Sequence, residues 1–252
     1  MWLVLAQDHD ADAPWIASGL RDRDDRPVVL ATGSTLVHDC RWEHRVSPRG
    51  ATAASSRLVL GDGTVLDATT VDAVVNRLGW LGAEGFAGAS ARDREYATGE
   101  LFALGLSWLE SLGGRVVNRP APTGLSGGWR QTAEWRSLAR SVGLAALPYD
   151  SDEPEAMADQ DDDLVLVVDG QVVAAVAPAR GGAPAVEPRV AEGLGALAGA
   201  AGADMLEVRL AASPDAGPAV RWASFQPNQR LYGDAGLDAL HKALVARVEV
   251  GP

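Results

Sequence analysis

Short uninterrupted apolar runs alternate with helical stripes through the first half of the chain, and that alternation predicts an α/β arrangement. Trp2 to Ala6 is an apolar run of strand length, the pattern of a strand buried on both faces. Asp12 is placed to cap a helix from about Pro14 to Leu20, with proline tolerated in the first turn, and Pro27 to Ala31 predicts a second strand. Arg57 to Asp67 carries two apolar arms around Asp62 and Gly63, a hairpin signal. Val71 to Val75 returns to the buried-strand pattern and ends in Asn76 and Arg77. The best helix follows: Ser90 with Asp93 resembles a capping box, Gly113 and Gly114 stop it, and Leu101, Phe102, Leu106, Trp108, Leu109 and Leu112 recur at helical spacing between them. Arg115 to Val117 predicts a strand leading into Asn118, Arg119 and Pro120. A glycine-rich stretch, Gly124 to Gly128, then precedes a helix from about Trp129 to Val142.

The periodic pattern stops at an acidic stretch and restarts beyond it. Residues 150–163 hold eight acids and no base, which reads as a linker. Two apolar arms, Leu164 to Val168 and Gln171 to Val176, then flank Asp169 and Gly170 as a second hairpin. A small-residue helix (Glu187 to Ala201), strands at Met205 to Leu210 and Ala219 to Phe225, and a final helix (Asp234 to Val248) complete an α+β order. The pattern therefore divides the chain into an α/β part (1–122), a connecting helix (123–149), the acidic linker (150–163) and an α+β part (164–252).

Charge narrows the partners. The 252 residues carry 34 acids against 22 bases, for a formal charge of −12. Neither a nucleic acid nor an anionic membrane attracts such a surface. The single cysteine, Cys40, has no internal disulfide partner, and the apolar run Trp2 to Ala6 is too short for a secretory signal or a membrane span, so a cytoplasmic protein is expected. Lys242 is the sole lysine, which leaves phosphate binding by lysine one candidate.

Four constellations could carry chemistry. His38, Cys40, Glu43 and His44 are metal-ligand types crowded into seven residues, but their spacing fits no zinc pattern and a polar strand edge explains them as well. Gly124 to Gly128 could present amides to an anion, yet it lacks the lysine of a P-loop and the spacing of a dinucleotide fingerprint. The third is an echo: Asn76-Arg77 and Asn118-Arg119 each follow a Val-Val pair where a strand meets a loop. Carboxyl ends of strands line the ligand crevice of open α/β sheets, and there an arginine fork suits a carboxylate or phosphate while asparagine fixes orientation. The competing reading pairs both arginines with local acids. Tryptophan is the fourth: Trp108 and Trp129 are expected in the core and Trp80 in a loop, as a contact residue. No Ser-His-Asp order, Gly-x-Ser-x-Gly or His-Glu-x-x-His pattern is present.

The stretch from Val74 to Pro148 resembles the front of the ATP-grasp superfamily, in particular ligases that join amino acids to peptides or cyclise ribosomal peptides. The resemblance rests on Arg94, Glu95 and Glu100 in a helix, Val116 to Pro120 as a strand running into Asn-x-Pro, and Ser141 to Leu144 before Pro148. Ala200 to Val208 resembles a passage of the family's last module, and Ala223 to Pro227 with Arg230 to Gly233 resembles its final strand and turn. The resemblance implies a pre-ATP-grasp, Rossmann-like α/β domain followed by a reduced α+β ATP-grasp-like part. It also implies a magnesium-binding acid at Arg209 and a Glu-x-Asn pair at Ser224 and Gln226, and neither position that should hold an acid does. The segment that should follow Pro148, with its phosphate-clamping lysine and adenine hinge, is replaced by the acidic linker. At an effective dielectric of about 20, a misplaced unit charge within 4 Å opposes a cation by about 4 kcal/mol.

These observations lead to a non-catalytic binding or scaffolding subunit, without cofactor, metal or catalytic residues. Its partner would be a peptide or a biosynthetic enzyme in a peptide-modification pathway, held near Asn76, Arg77, Asn118 and Arg119. An ATP-dependent carboxylate-amine ligase is the alternative, with acids from Asp161 to Asp163 replacing the lost magnesium set and arginines the lost lysines. A metal enzyme using His38, Cys40 and His44 is a third possibility.

Overall fold

Runs of β-branched and aliphatic residues become the strands of three separate sheets. The computed structural model describes residues 1–46, 54–82, 86–148, 162–213 and 217–250, and the chain divides into two units, residues 1–128 with 244–252, and residues 129–243. In the first unit the order is β1 (Trp2–Ala6), α1 (Asp12–Arg21), β2 (Val28–Thr32), α2 (Gly33–His38), β3 (Cys40–Val46), β4 (Ala54–Leu60), β5 (Val65–Leu66), β6 (Ala73–Arg77), α3 (Ala91–Ser111) and β7 (Val116–Val117). Strands β1, β2, β6 and β7 form a parallel sheet in the order β2-β1-β6-β7, and β3, β4 and β5 form an antiparallel sheet. Both β1 and β6 are buried along their whole length, as the unbroken apolar runs require of a parallel sheet covered on two sides.

The long helix α3 starts as its capping residues predict, with the Ser90 hydroxyl accepting from the Asp93 N–H at 3.2 Å. Trp108 is fully buried and packs edge-on against Trp42, ring centroids 5.3 Å apart at 81°. Such aromatic pairs contribute about 0.5–1.5 kcal/mol beyond area burial. Trp42 also donates from its indole nitrogen to the Leu36 carbonyl at 2.8 Å, tying β3 to α2. The periodicity missed α2, a short helix whose entry depends on the Thr32 side chain accepting from the Thr35 N–H.

In the second unit the order is α4 (Thr132–Ser141), β8 (Asp163–Val168), β9 (Gln171–Val176), α5 (Pro188–Ala201), β10 (Met205–Ser213), β11 (Gly217–Ser224) and α6 (Gln229–Val250), the residues of α6 from Leu244 onward belonging to the first unit. The antiparallel sheet runs β11-β10-β8-β9. Val165, Val167, Leu206, Val208 and Leu210 gather with Leu194, Leu197 and Ala198 of α5 and with Trp135 and Ala139 of α4 in one core. Arg136 of α4 is buried as well; its Nε donates to the Arg221 carbonyl at 3.1 Å and an Nη to the Pro148 carbonyl at 2.7 Å.

Several details differ from the sequence expectation. Trp129 precedes α4 and is 63% exposed rather than in the core, because the helix begins three residues later at Thr132. The last helix runs on from Asp234 as expected, but a short helical segment from Gln229 precedes it, separated by a break at Gly233, whose φ of 55° and ψ of −143° are not helical. Most of the acidic stretch, 150–161, lies outside the described residues. No helix among the described residues is long and apolar enough to cross a membrane.

The turn between β8 and β9 explains a helix glycine. Asp169 and Gly170 both have positive φ, 46° and 74°, as a two-residue turn with left-handed residues demands. A Cβ at Gly195 of α5 would press into the Gly170 carbonyl, whereas one at Gly199 of the same helix would meet nothing within 4 Å. Gly195→Ala is therefore expected to destabilise by about 1–3 kcal/mol through overpacking, and Gly199→Ala to stabilise by up to about 1 kcal/mol from helix propensity. Urea unfolding midpoints of the two variants check this.

Candidate functional site

In the first unit, the chain leaves β1 for β2 on one side and returns to β6 on the other, so the sheet order reverses between β1 and β6. The carboxyl ends of those strands are where open α/β sheets bind ligands. The side chains there are Gln7, Asp8, Asp10, Asn76 and Arg77, together with Trp80. Arg77 sits at the end of β6, paired with Ala6 of β1, and is 5% exposed. Its Nε donates to Asp10 Oδ2 at 2.6 Å and an Nη donates to Asp10 Oδ1 at 3.0 Å, with Asp12 3.6 Å away. This is a two-pronged, nearly buried ion pair, and it satisfies the fork that a ligand carboxylate would otherwise engage.

Asn76 faces a different task. Its amide donates to the Asn118 carbonyl at 3.1 Å and to the Leu125 carbonyl at 2.6 Å, and its oxygen accepts from the Leu78 N–H at 3.3 Å. One side chain thereby joins the loops after β6 and β7. Asn118 is fully buried with φ of 59°, a left-handed conformation that asparagine tolerates better than most residues. Arg119, next to it, is exposed. The structure thus brings together Asn76 and Asn118, ties Arg77 to Asp10, and leaves Arg119 on the surface.

Around this edge, Gln7 donates to the Trp80 carbonyl at 2.9 Å, and His9 lies 6.4 Å from the Trp80 ring, centroid to centroid. Trp80 is 51% exposed, as its loop position predicted. Asp8 accepts from the Ser34 hydroxyl and from the Ser34 N–H at 3.2 Å. The Ser34 hydroxyl chiefly, then that of Thr32, holds the Asp8 carboxyl below the usual carboxylate range.

In the second unit, Glu207 and Arg209 of β10 share a sheet face with Ser224 and Trp222 of β11, which stand directly opposite them. Glu207 is 3% exposed and accepts from the Tyr232 hydroxyl at 3.0 Å and from the Asn228 N–H at 3.1 Å. These contacts pin the start of α6 to the sheet. Burial first, and then the Glu207 charge, push the Tyr232 hydroxyl far above the ordinary tyrosine range. The Arg209 guanidinium lies 5.7 Å from the Trp222 ring centroid, a cation–π contact. Ser224 closes a local turn, its hydroxyl accepting from the Gln226 N–H at 3.0 Å.

The acids at the start of β8 are engaged too. Asp162, 3% exposed, faces the Arg221 Nε at 2.8 Å, and Asp163 pairs with Arg180. Asp161 lies outside the described residues. Sequence reasoning missed the role of Glu207, although a carboxylate in the otherwise apolar run Met205 to Val208 demands internal donors and is the signal that marks it.

The remaining constellations disperse. Strand alternation sends Glu43 and His44 of β3 to opposite faces. His44 Nδ1 lies 2.7 Å from the Ser56 hydroxyl and Nε2 3.0 Å from that of Ser107, while burial pushes the Cys40 thiol up to about 11. After the glycine-rich stretch, α4 begins at Thr132, and the Glu134 carboxylate accepts from the Gln131 N–H at 2.7 Å.

No protein-family model matches the sequence, and no curated protein matches it. Solved structures do. An ATP-grasp ligase, PsnB, complexed with a phosphomimetic variant of its minimal precursor, Mg and ADP, is 16% identical with a TM-score of 0.72, over 98% of this chain and 97% of that one. The macrocyclase MdnC of Microcystis aeruginosa MRC, bound with precursor peptide MdnA, is 12% identical with a TM-score of 0.71, over 97% and 99%. A ribosomal-peptide-associated (RiPP) ATP-grasp ligase of Chryseobacterium gregarium, in complex with ADP and a leader and core peptide, is 10% identical with a TM-score of 0.65, over 100% and 97%. The chain has the fold of the ATP-grasp superfamily, as the resemblance in its sequence implied.

Two outcomes test the internal contacts. Arg77→Ala strands Asp10 beside Asp12 and is expected to destabilise the protein by about 3 kcal/mol or more, whereas Arg119→Ala at the surface changes stability by less than about 0.5 kcal/mol; chemical denaturation compares them. Tyr232→Phe removes a donor to a buried carboxylate at a cost of about 1–3 kcal/mol at neutral pH. Because the folded-state ionisation of Tyr232 is raised, its stabilising share is present below the unfolded tyrosine value of about 10 and is lost as pH rises beyond it. Stability of the Tyr232→Phe variant should therefore fall less steeply than wild type above about pH 10, as denaturation at stepped pH will read.

Proposed function

We propose that this chain is a non-catalytic member of the ATP-grasp fold, a binding or scaffolding subunit whose partner is a peptide or a peptide-modifying enzyme. The neighbouring folds support the pathway: PsnB, MdnC and the C. gregarium ligase are each described in complex with precursor or leader peptide. What supports the absence of turnover is one face of one sheet. Resemblance assigns a magnesium-binding acid to Arg209 and a Glu-x-Asn pair to Ser224 and Gln226, and those side chains are a cation and two neutral groups. The carboxylate that this face does carry, Glu207, is buried and occupied by the Tyr232 hydroxyl and the Asn228 N–H.

A divalent ion bridging a triphosphate takes hard oxygen ligands, preferably anionic, and phosphoryl transfer depends on that ion and on cationic side chains around the phosphates. The residues present do not fit such a group. Arg209 opposes the ion on the same face, and Lys242 is the single lysine. The rearranged-ligand alternative draws on Asp161 to Asp163, but Asp162 and Asp163 already face Arg221 and Arg180.

Calorimetric titration of the full chain with Mg-ATP separates the readings. No binding heat is expected. Micromolar affinity would instead return the chain to the carboxylate-amine ligases and overturn this proposal.

A further inference from the structure

The outward face of the β3-β4-β5 sheet carries positive charge that its surroundings leave uncompensated. Alternation puts Arg41, Glu43 and Arg45 of β3 on the face opposite Trp42 and His44. The register sets Arg57 of β4 across from Glu43, and Ser55 across from Arg45. Glu43 is held by Arg41 at 3.1 Å. Arg45 and Arg57 are exposed and form no hydrogen bond or ion pair with any described residue.

Between them lies a pocket of about 400 Å³, lined by two arginines, Arg45 and Arg57, two carboxylates, Glu43 and Asp67, and Ser55 and Ser56 among others. Both carboxylates have partners of their own, Glu43 in Arg41 at 3.1 Å, whereas the two arginines have none among the described residues. The Asp67 carboxylate is taken up by its own turn, accepting from the Thr69 N–H at 2.8 Å, the Thr69 hydroxyl at 2.6 Å and the Thr70 N–H at 3.1 Å. Ser56 is fixed from below, since His44 bridges its hydroxyl to that of Ser107 on α3. The pocket is thus rigid at its base and cationic at its rim.

The backbone beside it is open. Among the described residues β3 pairs with β4 alone, so alternate residues of its seven turn their N–H and C=O groups to an unpaired edge. Such an edge is a template for an incoming strand, whose main chain supplies affinity and whose alternate side chains supply specificity. Along this edge the outward positions read cation, anion, cation. An added strand complements them with an acid, a neutral or basic residue, and an acid, the two acids four residues apart or about 13 Å.

We propose that the β3 edge and the Arg45–Arg57 pocket form a docking site for an extended acidic peptide segment, its two carboxylates held by Arg41 at one end and by Arg45 with Arg57 at the other. This assignment rests on the peptide-partner half of the proposed function and names the site and the chemistry of the partner. The rest of the chain favours selectivity: at a formal charge of −12, an acidic segment is repelled from most of the surface and directed to this patch.

The test uses the full chain and a fluorescein-labelled peptide with a Glu-Val-Thr-Val-Glu core, read by anisotropy, beside the same peptide with lysine for both glutamates. The acidic peptide should bind, more weakly as salt rises, and the basic one should not. The double charge reversal Arg45→Glu with Arg57→Glu, both at exposed positions, should keep the wild-type circular dichroism and weaken binding about tenfold or more. Hydrogen exchange should slow at the alternate backbone amides of 40–46 that face away from β4 when the acidic peptide is present. Equal binding of both peptides, unchanged binding to the double reversal, or unslowed exchange along β3 would each overturn the site. A failed peptide titration together with a silent Mg-ATP titration removes the docking site and leaves the non-catalytic reading standing. Nucleotide binding with the β3 effects intact does the reverse.

Discussion

A carboxylate taken out of water must be met by donors, and how Glu207 is met shapes the second unit. Left unpaired at 3% exposure it would cost several kcal/mol. The Tyr232 hydroxyl and the Asn228 N–H answer that demand, and in doing so they fix the start of α6 against β10. Both contacts fall on Oε2, which is thereby committed to the fold. Structural and chemical use of a buried acid compete for the same lone pairs, and here the structural use holds them.

A parallel choice governs the first unit. Its parallel sheet reverses order between β1 and β6, where Arg77 and Asn76 end a strand. Arg77 turns to Asp10, and Asn76 turns to the carbonyls of Asn118 and Leu125. The polar groups at this edge stabilise loops that a crevice of this kind needs in place. Trp80 and Asp8 are the members of the edge that stay nearer to solvent, Trp80 half exposed and Asp8 held ionised by Ser34 and Thr32.

A fold does not carry a reaction with it; the reaction lives in particular side chains. The chain shares its architecture with ligases at 10–16% identity, and a backbone can be kept at that identity because burial patterns tolerate wide substitution of apolar residues. Site chemistry does not tolerate it. A charged side chain such as Arg209 sets the sign of the local field without entering the strand pairing of β10, which its backbone makes with β8 and β11.

Much of the backbone was legible before any coordinates. The unbroken runs at Trp2 and Val74 gave parallel strands, Ser90 with Asp93 gave the start of α3, and Asp169 with Gly170 gave the hairpin turn, because periodicity, caps and left-handed turns are local physics. The short helix α2 escaped because one and a half turns leave no periodic stripe, and Trp129 was misplaced because a residue just outside a helix start looks like one just inside it. The Asn-Arg echo announced two polar pairs at strand ends, but their partners lie 42 to 67 residues away. Whether an arginine waits for a ligand or closes on an aspartate is decided by which loops the sheet order brings together. Only the tertiary structure fixes that, since a side chain's partner is chosen by distance in space and the sequence records distance along the chain.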